Sequence, residues 1–93
     1  MTIGVLTVDI SIDGAFSLKE KRMVLRSIRD RVRHKFNVSL AEVDGHDLWN
    51  YSRLGVAVVA NQQKHANQVL SKVVELLETI RGCTVEDLDT EFL

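Results

Sequence analysis

A chain of 93 residues, 45% hydrophobic and 27% charged, has the composition of one ordinary globular domain, with no room for a second domain or a deep catalytic cavity. Its single cysteine excludes an intrachain disulfide and a cysteine-based metal cluster, and no apolar run approaches the ~20 residues that span a bilayer. The net charge of −1 conceals an asymmetry: residues 17 to 36 hold eight of the twelve Lys and Arg and carry +6, a basic element on an acidic body.

The opening MTIGVLTVDI has neither the basic start nor the small-residue cleavage site of a secretory signal, which predicts a cytoplasmic protein with no membrane partner. From there residues 3 to 12 alternate, with Leu6, Val8, Ile10 and Ile12 on one side and Thr7, Asp9 and Ser11 on the other. Period two predicts a strand with one buried face. Asp13-Gly14 ends it, and Ser17 three residues before Glu20 forms a capping box that starts a helix at Leu18. That helix buries Leu18, Val24, Leu25, Ile28 and Val32 and ends near Phe36-Asn37, with His34 and Lys35 suited to its C-terminal dipole.

Residues 38 to 43 predict a short second strand, Asp44-Gly45 a turn, and residues 48 to 60 a third strand with room for a bulge. Asn61 is placed to cap a second helix, whose apolar stripe runs from Ala66 to Ile80 and whose C′ position falls on Gly82. Residues 83 to 92 predict a last, acidic strand. The order βαββαβ predicts one α+β domain over residues 1 to 93, a ferredoxin-like split βαβ. Right-handed crossovers place both helices on one face of a four-stranded antiparallel sheet and leave the other face open.

Two surfaces follow. Arg22, Arg26, Arg29 and Arg33 recur at i, i+4, i+7 and i+11 and form a stripe beside the apolar one, with Lys19 just outside it. Four guanidiniums over about 16 Å of helix fit a phosphate backbone better than one small anion. The competing reading is a solvated face, partly paired with the acidic last strand. The second surface is the open sheet face, where Ile3, Val5, Trp49, Tyr51, Ala57 and Val59 would point outward. So apolar a face predicts a cover, foremost a second copy of the chain packed sheet to sheet. A bulge near Ser52 would instead flip the register and bury Trp49 or Tyr51 within the monomer. RNA recognition by the sheet itself is disfavoured, because the third strand from Ser52 to Asn61 has no aromatics where base stacking needs them and the first strand has none.

Catalytic chemistry finds no foothold. Asp44, His46 and Asp47 share a turn, but turn chemistry accounts for Asp44-Gly45 without a metal. No phosphate-binding glycine loop, nucleophile triad or carboxylate pair is present, so neither enzyme activity nor a cofactor or metal is expected.

The segments SLKEKR at 17 to 22, Phe36-Asn37-Val38, AEVDGHDLWN at 41 to 50 and LGVAVVAN at 54 to 61 resemble the bacterial YlxP-like family, catalogued as a domain of unknown function. The resemblance covers nearly the whole chain. It implies a ferredoxin-like fold and no defined activity. Members of the family are often encoded among translation and ribosome-maturation genes, an association and not a mechanism, so the resemblance implies ribosomal RNA or a ribosome-assembly partner. It singles out Lys19, Lys21 and Arg22 at the helix start, where pairing with Glu42, Asp44 or Asp47 is the structural alternative.

Overall fold

The computed structural model describes residues 1–93 and contains six elements. They are β1 (Thr2–Ile12), α1 (Leu18–Lys35), β2 (Ser39–Asp44), β3 (Tyr51–Ala60), α2 (Gln63–Thr79) and β4 (Cys83–Phe92). Every strand pair is antiparallel and the sheet order is β2-β3-β1-β4, which is the ferredoxin-like split βαβ arrangement. β1 and β3 are central, while β2 and β4 are edges.

The core lies between the sheet and the helices. Leu6, Val8 and Ile10 of β1 and Leu54, Val56 and Val58 of β3 supply its floor. Leu25, Ile28 and Val32 of α1 and Ala66, Leu70, Val73 and Leu77 of α2 supply its roof. α2 sits close because β1 has Gly4 beneath it: a Cβ there would lie 3.0 Å from Leu70 Cδ1 and 3.3 Å from Ala66 Cβ. The α1 start is a capping box shifted by one residue. Ser17 Oγ accepts from the Glu20 N–H at 3.1 Å, and Glu20 Oε2 accepts from the Phe16 N–H at 2.8 Å.

Four local expectations are corrected. β3 begins at Tyr51, so Leu48 and Trp49 belong to the loop after β2. β3 has no bulge at Ser52: its register with β1 is unbroken from Ala60 to Tyr51, and the irregularities lie instead in β2 at Val43 and in β4 at Glu86. α2 is capped at Gln62, without a side-chain hydrogen bond, rather than at Asn61. Gly82 adopts its positive φ of 89° two residues beyond the helix C-cap at Ile80, turning the chain into β4.

Candidate nucleic-acid interface

The helical period sorts the cations of α1 into two kinds. Lys21, Leu25, Ile28 and Val32 are the buried residues of α1, spaced i, i+4, i+7 and i+11. Lys21 therefore occupies a position on the apolar stripe and points inward, where it is only 1% exposed. Its ammonium donates to Gly45 O at 2.6 Å and to Leu48 O, and pairs with Glu42 Oε2 at 2.9 Å. Glu42 Oε2 also accepts from the buried Ser52 hydroxyl at 2.7 Å. Burial works to raise the Glu42 pKa, but the hydrogen bonds from Ser52 and Lys21 prevail and hold it below the ordinary carboxylate value. This cluster ties the first turns of α1 to the β2–β3 loop.

Each stripe arginine follows one of these buried residues and so is rotated about 100° out of the core. Lys19, Arg22, Arg26 and Arg33 are exposed and Arg29 is half-buried. On the other flank of α1, Arg31 and Lys35 line shallow clefts with Leu76 of α2. The stripe thus lies on the flank turned away from α2, above the β2 edge of the sheet. None of its five cations forms an ion pair; the only pair made by α1 is Lys21 with Glu42. Arg29 Nε, although buried, has no acceptor within the chain. The acids of β4 cannot serve, because Asp87, Asp89 and Glu91 oppose Asp9, Thr7 and Val5 and so face out from the other side of the sheet. The expected partial pairing of the stripe with the last strand is absent.

The six residues expected on the open sheet face divide into three groups. Ile3 opposes Val59 and Val5 opposes Ala57, which makes one apolar patch, with Val59 65% exposed. Tyr51 lies at the other end of that face in a polar network. Its hydroxyl donates to Asp9 Oδ1 at 2.9 Å, and Arg53 Nε donates to the same oxygen at 2.7 Å. The Arg53 hydrogen bond outweighs desolvation and keeps the Asp9 carboxyl below its usual range, while donation to Asp9 raises the Tyr51 phenol. Trp49 is not on the sheet at all. It meets Phe16, with ring centroids 6.1 Å apart and planes at 34°. In the Asp44-to-Asp47 turn, Asp44 Oδ1 accepts from the Gly45 N–H at 2.7 Å, and His46 Nε2 lies 4.0 Å from Glu42 Oε1. Cys83 is buried, and that burial raises its thiol pKa.

Sequence reasoning had Glu42 among the acids that would pair with Lys21, as it does here, but it missed the inward position of Lys21 and the part played by Phe16. The first was readable: position 21 continues the Leu25, Ile28, Val32 spacing. The second was not, because Phe16 and Trp49 are far apart in the chain.

Residues 3–90 match the family described as "Protein of unknown function (DUF503)". The chain is 36% identical over 77 residues to the protein YlxP of Bacillus subtilis (strain 168), described as uncharacterized, across 83% of this chain and 84% of that one. Among solved structures, the de novo designed protein Ferredog-Diesel aligns with 98% of this chain and 84% of its own, at 11% identity and a TM-score of 0.48. A second de novo designed protein with ferredoxin fold aligns with all of this chain and 83% of its own, at 17% identity and a TM-score of 0.46. No helix is long and apolar enough to cross a membrane.

Proposed function

The chain belongs to the DUF503 family, and we propose that it is a non-enzymatic RNA-binding module that contacts ribosomal RNA, alone or within a ribosome-assembly complex, through α1. The observation that carries this reading is the unpaired stripe. Lys19, Arg22, Arg26, Arg29 and Arg33 share one flank of α1 without an internal acidic partner. Guanidiniums in a row bind phosphate oxygens in pairs and release counterions as they do so. Placement over the β2 edge, away from α2, leaves a strand of RNA access along the helix.

The test is binding to ribosomal RNA fragments across a salt series, beside a folded variant carrying Arg22→Glu, Arg26→Glu, Arg29→Glu and Arg33→Glu. Four single-strand phosphate contacts give a log–log slope of about −3. The wild type should show that slope and the variant should lose binding. Salt-insensitive binding, or a variant that binds equally well, would refute the reading.

A second reading is supported by the patch of Ile3, Val5, Ala57 and Val59. Here the module is a homodimer packed sheet to sheet, and its basic helix docks an acidic protein surface. Sedimentation of the wild type beside Val59→Asp separates the two: this reading requires a dimer that the variant converts to monomer, together with negligible RNA affinity.

A further inference from the structure

Only Phe16 and Trp49 among the chain's five aromatic residues are exposed, and they touch each other. Phe16 is 78% exposed and Trp49 43% exposed. Helix capping does not account for this. A hydrophobic residue just before the N-cap commonly packs on the fourth residue of the helix. Here that fourth residue is Lys21, turned inward to the loop carbonyls, so Phe16 has no apolar staple and remains at the surface.

The backbone that carries the two rings is also tied down by hydrogen bonds. Lys21 grips the carbonyl of Leu48, just before Trp49, and the Ile12 N–H donates at 2.9 Å to the carbonyl of Asn50, just after it. On the other side, the Phe16 backbone N–H is fixed by Glu20 at 2.8 Å. Two exposed rings on pinned backbones form a platform whose ordering cost is met by folding rather than by binding. It stands at the N-terminal end of α1, where Lys19 and Arg22 begin the basic stripe.

We infer that Phe16 and Trp49 stack an unpaired nucleobase of an RNA strand whose phosphates run along Lys19, Arg22, Arg26, Arg29 and Arg33. Bases stack on aromatic faces only when unpaired, so the domain selects single-stranded over duplex RNA. The inference rests on α1 being the RNA-contacting surface, and it adds the form of RNA that is bound. It places the stacking aromatics at the end of the helix, not on the sheet face.

Trp49 is the chain's single tryptophan, so its emission reports the site directly. The wild type, Phe16→Ala and Trp49→Phe are titrated with an unstructured oligoribonucleotide, with the same strand annealed to its complement, and with inorganic polyphosphate. Thermal melts first confirm that the variants fold. The single strand should quench Trp49 and bind about tenfold more tightly than the duplex, and Phe16→Ala should weaken it about tenfold with an unchanged salt slope. Trp49→Phe, which keeps a ring in place but has no tryptophan emission, should retain near wild-type affinity, read from the anisotropy of an end-labelled strand. Polyphosphate should bind without quenching and ignore Phe16→Ala. If the oligoribonucleotide binds without quenching Trp49, or Phe16→Ala binds it as the wild type does, stacking is refuted and the basic helix still stands as the RNA contact. If none of the three polyanions binds at low salt, both readings fail together.

Discussion

Lys21 and Arg22 are adjacent in the chain, yet Lys21 is 1% exposed and bonded to three oxygens, whereas Arg22 is exposed and has no ion-pair partner. One step of about 100° around the helix separates them. The first position completes the buried row that continues through Leu25, Ile28 and Val32; the second opens the row of arginines. A charge count over α1 treats the two alike. The direction of each side chain separates a cation consumed by the fold from cations left available to a ligand.

The sharpest way to break this comparison is to remove one member of each kind. Lys21→Ala would leave the Leu48 carbonyl without its donor, Gly45 O with only the Leu48 N–H and Glu42 with only the Ser52 hydroxyl, in a part-buried site. Removing one partner of a buried pair costs about 3 kcal/mol or more, which for a domain of this size lowers Tm by about 12 °C or more. Trp49 emission should shift as well, because the loop that carries it loses its anchor. Arg22→Ala, on an exposed face without a partner, should stay within about 0.5 kcal/mol of the wild type. Thermal and urea unfolding of the two variants decide the point. Comparable losses in both would erase the distinction between the two rows.

The same contrast explains how much was legible in the sequence. Alternation in β1, the S-x-x-E start of α1 and the apolar stripe of α2 are local signals, and the fold followed from them. The β2–β3 loop was not legible. Leu48 and Trp49 lie just before the strand-favouring run that begins at Tyr51 and read as an extension of β3. What diverts them is Gly45 at a φ of 80° together with Lys21, which binds carbonyls 24 and 27 residues away. No local pattern encodes a pull of that range. Trp49 thereby moves from the sheet face expected for it to a contact with Phe16 that only the folded chain creates. The arginine stripe was legible as geometry, since its spacing is helical. Its freedom from internal partners was not, because the face taken by the acids of β4 depends on strand register.

The smallest expected effect tests the other side of the comparison. Arg22 and Arg26, Arg26 and Arg29, and Arg29 and Arg33 are like-charged neighbours at helical spacing, and each such pair destabilises an exposed helix by roughly 0.2–0.5 kcal/mol. Asp30, four residues after Arg26 and three before Arg33, offsets part of this repulsion, so the stripe is at most a small net cost to the folded state. Changing all four to Gln removes the repulsion while keeping a long side chain of nearly equal helix propensity. The variant should therefore be no more than about 0.5 kcal/mol more stable than the wild type in low-salt urea unfolding, and the gain should shrink as salt screens the exposed charges. It should also bind RNA poorly. A loss of stability would mean that the arginines hold the fold through contacts other than ion pairs. A gain coupled to lost binding would identify the stripe as a surface whose charge serves a ligand at the expense of the helix that carries it.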